Sequence, residues 1–342
     1  MTSATPRSDA VPVRFLVTRE GRAPIRKLLR ACGDRLGLPV DQRLYAPALG
    51  PPRPASQRRL APLIDAARGV GARARTRRLL GTTSPSRPRV FVFADIERLS
   101  WDERRRAAEL WRRLDAAPGV ARILNHPTRT LCRYELLRAL HEAGWNDFDV
   151  YRVSERRMPE RYPVFLRRED DHGGATSGLI ETPEALRREL ETRRAAGELG
   201  EGTLIVEFCD TSDADGLTRK YGVLRIGDRL VPRHVFVSRQ WVIKSTTDCD
   251  AIPREEMARL ELDYLAQEPH AEALMQIFDL AGVDYGRIDF GLKEGRIQVW
   301  EINTDPTLFL PQHFRDPVRG PVHEEALRRV GEALRALGED AG

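Results

Sequence analysis

Residues 286 to 308 read GRIDFGLKEGRIQVWEINTDPTL, with Asp289 inside one apolar run and Glu301 and Asn303 at the end of the next. Strands are depleted of such residues, because a polar group buried without a partner costs roughly 2 to 7 kcal/mol. Suppose the runs pair antiparallel around a three-residue turn, Lys293-Glu294-Gly295, with Gly295 supplying a positive φ. Arg287, Asp289, Val299, Glu301 and Asn303 then share one face, and Ile288, Phe290, Leu292, Trp300 and Ile302 the other. Asp289 lies diagonal to Glu301, about 7 Å away between backbones, so that both carboxylates can converge on a cation. A two-residue turn would bring Asp289 beside Ile302 and dissolve the site. Oxygen ligands without His or Cys select Mg2+ or Mn2+, and Mg2+ takes few protein carboxylates and completes its shell with substrate phosphates. A metal with a nucleotide is the chemistry this spacing points to. The plainer reading is a surface hairpin with a wetted polar face, on which Arg287 and Glu301 form an ordinary cross-strand pair.

The elements that must position these residues alternate early in the chain. VPVRFLVTRE reads as a strand and APIRKLLRACGDRLG as a helix, with Ile25, Leu28, Leu29 and Leu36 at helical spacing. The proline-rich stretch 46–60 reads as a loop. RPRVFVFADI is a second strand, Ser100 and Glu103 form a capping box before WDERRRAAELWRRLDAA, and GVARILNHP and RTLCRYELLRALHEAG follow as strand and helix. Strands alternating with helices over residues 11 to 125 predict an open α/β domain with a mostly parallel sheet. Beyond residue 150 come a strand (YPVFLRR), a glycine-rich loop (EDDHGGATSG), and a helix with Thr182 as N-cap, Pro183 at N1 and Gly197 as its stop. GTLIVEFCD is another strand, and KYGVLRIGDRLVPRHVFVS reads as a hairpin turning at Gly227-Asp228.

Composition narrows the function classes. A chain of 342 residues exceeds one ordinary core and suggests two or three domains. The net charge of +5 comes from arginines scattered along helices rather than gathered in a block, which favours a solvated surface or an anionic ligand over nucleic acid. Cys32, Cys132, Cys209 and Cys249 lie far apart without zinc spacing, and neither a signal peptide nor an apolar run of about 20 residues is seen. A soluble, reduced, cytoplasmic protein with a frayed N-terminus is expected. His126 and His172 lack companions at metal-ligand spacing.

Gly-Arg-Ile-Asp at 286–289 and Glu-Ile-Asn-Thr-Asp-Pro at 301–306 resemble the C-terminal motif of the ATP-grasp superfamily, most closely that of D-alanine:D-alanine ligases, glutathione synthetases and related carboxylate-amine ligases. The resemblance covers roughly residues 120 to 310. It implies an α/β protein of the α+β ATP-grasp fold. A tail (1–10) and a pre-ATP-grasp α/β domain (11–125) would precede a small lid subdomain with the glycine-rich loop (126–208) and a C-terminal subdomain with the metal site (209–342), the last two sandwiching ATP. It further implies that Asp289, Glu301 and Asn303 hold magnesium (or manganese) against ATP phosphates, and that Arg287 steadies a reacting carboxylate or tetrahedral intermediate. Gly173, Gly174, Ala175, Thr176 and Ser177 would cradle phosphates, and Arg167 and Arg168 stand where the family normally has a lysine. Glu207, Phe208 and Cys209 would present backbone groups to adenine, Phe208 being equally readable as core. Asp210 or Asp213 would meet the ribose, and Arg219 or Lys220, with Lys244, would contact phosphate or substrate. Function is then ATP-dependent joining of a small-molecule or peptide carboxylate to an amine through an acyl phosphate, in an enzyme of a type commonly dimeric. The alternatives are an ATP-grasp kinase acting on a small-molecule acceptor and a non-catalytic ATP-binding regulatory module.

Overall fold

Two strands, Val13–Val17 (β1), apolar except for Arg14, and Val90–Phe93 (β3), apolar throughout, are buried along their whole length, the pattern of parallel strands covered on both faces. With Val40–Leu44 (β2) and Arg122–Leu124 (β4) they form a parallel sheet of order β2-β1-β3-β4. The helices Arg22–Cys32 (α1), Tyr45–Leu49 (α2), Ala61–Leu80 (α3) and Trp101–Asp115 (α4) connect it. The computed structural model describes residues 11–36, 38–50, 61–80, 90–171, 173–243, 249, 251–267 and 270–339; the expected tail 1–10, His172 and Lys244 lie outside them. α2 corrects the reading of 46–60 as loop throughout: Pro47 sits in the first helical turn, where its missing N–H is not needed, and residues 51–60 are not described. The capping box forms as expected, Ser100 Oγ accepting from the Glu103 amide while the Glu103 carboxylate accepts from the Ser100 amide.

Two antiparallel sheets follow. After Arg133–Glu142 (α5), the strands Val150–Arg152 (β5), Val164–Arg168 (β6) and Thr203–Glu207 (β7) pair in the order β5-β7-β6, with Pro183–Ala195 (α6) capped by Thr182. Thr218–Ile226 (β8), Arg229–Ser238 (β9), Tyr285–Lys293 (β10) and Arg296–Asn303 (β11) pair in the order β11-β10-β8-β9. The remaining helices are Arg254–Gln267 (α7), Ala271–Ala281 (α8) and Gly320–Glu339 (α9). One face of the larger sheet, with Val223, Val235, Ile288, Phe290 and Val299, packs on Tyr264, Ile277 and Phe278 of α7 and α8. Each such fully buried side chain contributes about 1.5 to 3 kcal/mol of transfer free energy. The other face is covered at one end by a core in which Leu224 and Tyr285 meet Phe15 and Val90 of the parallel sheet and Val330 of α9. α9, expected within the C-terminal unit, thus shares its core with the N-terminal sheet. The uncovered remainder of that face opens onto a cavity. No helix among the described residues is long and apolar enough to cross a membrane.

The β10–β11 turn is not the three-residue one expected. Lys293 pairs with Arg296, and the two residues between, Glu294 (φ 52°) and Gly295 (φ 77°), both take the positive φ of a tight hairpin turn. Asp289 nevertheless does not end beside Ile302. Phe290 pairs with Val299 but Asp289 pairs with Glu301, so Trp300 is the extra residue of a β-bulge. The bulge restores the site in closer form, as a direct cross-strand pair instead of a diagonal one. It also reverses two expectations: Val299 joins the packed face with Phe290, while Trp300 lies on the side of Glu301. Inserting one residue shifts the two-residue alternation by one, which periodicity alone does not register. A second bulge, on β9, pairs Gly222 with His234 but Val223 with Pro232, leaving Arg233 as the extra residue.

Candidate active site

The cavity between the two antiparallel sheets holds about 750 Å3, within the range of about 300 to 1,000 Å3 usual for small-molecule sites. Alternation on β6 and β7 sends Phe165, Arg167, Leu204 and Val206 to the cavity side of the small sheet and Val164, Leu166 and Ile205 to the core under α6. One lobe is aromatic. Trp241 meets Phe165 (ring centroids 5.1 Å apart) and Phe208 (5.5 Å), and Trp300 stands on the same apolar wall with Phe148. Trp300 fits because Gly291 opposite has no side chain; a Cβ there would come 2.8 Å from its ring.

The next lobe is charged. Arg287 donates to Asp289 through Nε (2.7 Å) and Nη2 (3.1 Å), and Lys220 Nζ lies 3.2 Å from the same carboxylate. Glu301 Oε2 accepts from Arg133 (2.7 Å) and Arg167 (2.9 Å). Burial by itself would raise both carboxyls, but the cations outweigh it: Arg287 and Lys220 hold Asp289 below the usual range, and Arg133 and Arg167 bring Glu301 down to about 2. Burial, then the neighbouring Arg133, pushes Arg167 down to about 10. Two carboxylates therefore stand among four cations, and the surplus of positive charge suits an anionic ligand.

Whether these residues fit a divalent ion follows from the donor set. Asp289 and Glu301 are direct partners on one face at the cavity wall, and Asn303, two residues on, is buried with Oδ1 accepting from the Asp305 amide (2.8 Å). Among the described residues no group of three or more His, Cys, Asp and Glu could hold a metal. With two carboxylates already matched by cations, the set is poor for a metal alone. It fits Mg2+ arriving with phosphates, which supply the missing oxygens and give the arginines and Lys220 an alternative partner.

Of the other residues singled out by the sequence, Arg167, Gly174, Ala175, Glu207, Phe208, Cys209, Asp210 and Lys220 line this cavity with Arg287, Asp289, Glu301 and Asn303. The structure separates Arg167 from Arg168, which points the other way into an ion pair with Asp170. Thr176 and Ser177 are bound back to Leu166, and neither they nor Gly173 reach the cavity lining. The Phe208 amide is taken by the Pro163 carbonyl, and the Glu207 side chain is engaged by Tyr151, Arg161 and the Asp149 amide. Asp213 caps its own turn through the Asp215 and Leu217 amides and pairs with Arg219, away from the cavity lining. His126 packs at a tilt against Trp111 (ring centroids 5.0 Å apart).

Sequence reasoning missed Arg133, Trp241, Trp300, Arg233 and His234. Trp300 and Arg233 are the two bulge residues, misplaced by strict alternation. Arg133 opens α5, far in sequence from Glu301, and Trp241 follows β9; neither position carries a local signal.

No family model matches the chain, and none of the curated proteins matches it. Solved structures similar to it include a D-alanine–D-alanine ligase from Bacillus anthracis complexed with ATP (10% identity over 97% of this chain and 100% of that one, TM-score 0.48). Others are an L-amino acid ligase from Bacillus licheniformis (13%, 93% and 74%, 0.43) and a RimK domain protein ATP-grasp from Sphaerobacter thermophilus (13%, 94% and 99%, 0.44).

Proposed function

We propose that this protein is an ATP-dependent ligase that joins a carboxylate to an amine through an acyl phosphate. One observation carries the reading: a single cavity joins an aromatic lobe, suited to a purine, to a lobe where Lys220, Arg133, Arg167 and Arg287 surround Asp289 and Glu301. Phosphates bring the three cations on the cavity wall, Lys220, Arg167 and Arg287, their natural partners, and the base gains Trp241, Trp300 and Phe208 as walls. Asp289, Glu301 and Asn303 would hold Mg2+, whose chemistry there is to offset phosphate charge.

The chemistry follows from the leaving group. A substrate carboxylate oxygen attacks the γ-phosphorus, the bond to the β-phosphate oxygen breaks, and ADP departs. The amine nitrogen then attacks the acyl carbon, the carbon–oxygen bond to phosphate breaks, and inorganic phosphate leaves while the amine proton passes to solvent or to the phosphate. Arg287, bonded to Asp289 on the cavity wall, would steady the anionic oxygens, and the turn carrying Gly174 and Ala175 borders the cavity, where it would exclude water. Cys32, Cys132 and Cys209 are free thiols, in keeping with a reducing cytoplasm.

The test is incubation with ATP, Mg2+ and pooled acids and amines. ADP and inorganic phosphate should appear in equal amounts with a condensed product, and hydroxylamine should trap a hydroxamate. Phosphate left on a stable acceptor would make the protein a kinase instead.

A further inference from the structure

Beyond the charged lobe the cavity meets a third wall, built by β9, a 3-10 turn at His313–Arg315 and the start of α9. The β9 bulge sets Arg233 and His234 side by side on this wall, and Gly222 makes room for His234: a Cβ there would lie 2.4 Å from the imidazole. Arg233 is 4% exposed. Its Nε and Nη2 donate to the Leu308 carbonyl, its guanidinium lies 4.5 Å from the Phe309 ring centre, and Nη2 is 3.4 Å from His323 Nδ1.

Among the arginines shielded from solvent around the cavity, counterions make this one the exception; Arg315, also on the lining, is exposed. Around the same cavity Arg167, with Arg133 behind the wall, shares Glu301, Arg287 holds Asp289, and Arg319 holds the buried Glu261 at 2.7 and 2.8 Å. Arg233 has no carboxylate of the described residues within ion-pair distance. His313 and His323, stacked 4.5 Å apart, add no charge, since burial and then Arg233 push them down to about 4 and about 2. His313 Nδ1 accepts from the Leu310 amide, so the neutral ring carries its proton on Nε2 as a donor. A desolvated guanidinium beside neutral donors, facing an open cavity, lacks one thing: an oxyanion.

We propose that Arg233, with the imidazoles of His313 and His323, receives a second oxyanion of the substrate, separate from the carboxylate that reacts beside Arg287. The substrate class is then an acid carrying a further carboxylate or phosphate. This rests on the ligase reading for the reacting end, whereas the subsite itself is recognised by charge and can be measured without turnover.

The experiment is calorimetric titration of the full chain with two series: α,ω-dicarboxylates of two to six carbons and ω-phosphorylated acids, each against its uncharged-ended counterpart. In the wild type at least one dianion should bind about tenfold or more tighter than its counterpart, and which series wins identifies the oxyanion. Arg233→Met should bring that preference to within about twofold, Arg233→Lys should retain part of it, and both should keep their affinity for Mg-ATP. No dianion preference in the wild type, or full preference in Arg233→Met, overturns the proposal. If Arg233→Met does not fold, the wild-type titrations decide alone. A wild type that fails to bind Mg-ATP counts against the ligase reading; one that binds it without preferring any dianion counts against this subsite only.

Discussion

Glu301→Gln tests the electrostatics of the site quantitatively. Glu301 Oε2 takes hydrogen bonds from both Arg133 and Arg167, whose side chains are 6% and 8% exposed. Its carboxyl falls from 4.5 to about 2, which corresponds to about 3 kcal/mol in favour of the charged form. The amide keeps the shape and can accept one guanidinium, but two buried cations then face each other uncompensated. Removing one partner of a buried ion pair costs about 3 to 5 kcal/mol, in agreement with that figure. The variant should lose about 3 kcal/mol of stability at pH 7 and melt roughly 4 °C lower by calorimetry. Because the carboxyl is depressed in the folded state, its contribution is complete above about pH 5 and fades as pH falls toward 2. The gap between wild type and variant should therefore be constant from pH 5 to 8 and shrink below pH 4. A variant melting at or above the wild type at pH 7 would refute the view that Glu301 compensates the arginines.

Three further outcomes follow from the geometry. Asp305 is 5% exposed and neither carboxylate oxygen has a hydrogen-bond partner among the described residues; burial, then Asp95 and Glu97, push it up to about 9. The folded state keeps a proton that the unfolded chain releases above 3.8, so stability falls as pH rises between about 4 and 9, and Asp305→Asn should flatten that fall; identical melting profiles from pH 5 to 9 would contradict this. Gly291→Ala places a Cβ 2.8 Å from the Trp300 ring and 3.0 Å from Thr211 Oγ1, so nucleotide affinity should drop about tenfold with far-ultraviolet circular dichroism unchanged, and unaltered affinity would show that Trp300 does not border the ligand. Trp241→Ala removes a stacking wall worth about 1 to 3 kcal/mol per base, so ATP should bind roughly tenfold or more weakly in a fluorescence titration while inorganic triphosphate binds as before; equal losses for both would move the base elsewhere.

How much of this was legible depended on whether the period of two or 3.6 survived locally. β1 showed as an alternating apolar run and β3 as an uninterrupted one, and α4 and α6 showed through the Ser100–Glu103 box and the Thr182–Pro183 start. β2 did not, because VDQRL is a half-exposed edge strand with polar residues and no apolar face to betray it. In the site, Asp289 and Glu301 were found from the strangeness of carboxylates in apolar runs; their sharing of one face held, but the expected turn and register, with Asp289 opposite Val299 and only diagonal to Glu301, did not. The turn error and the unseen bulge compensate each other, so the site survived both. Trp300 and Arg233 could not be placed, since an extra residue in a strand leaves no composition signal of its own. Arg133 reaches Glu301 across 168 positions, a relation only the folded chain reveals.

The most direct measurement is a set of calorimetric titrations of the wild-type chain with Mg2+ alone, ATP alone and Mg-ATP. Two carboxylates held by four cations predict no measurable binding of Mg2+ alone, moderate binding of ATP alone, and binding of Mg-ATP about tenfold tighter than that of ATP, an enhancement lost in Asp289→Asn. Failure of Mg-ATP to bind, or Mg2+ bound tightly without nucleotide, would contradict a site built to take the metal together with phosphates.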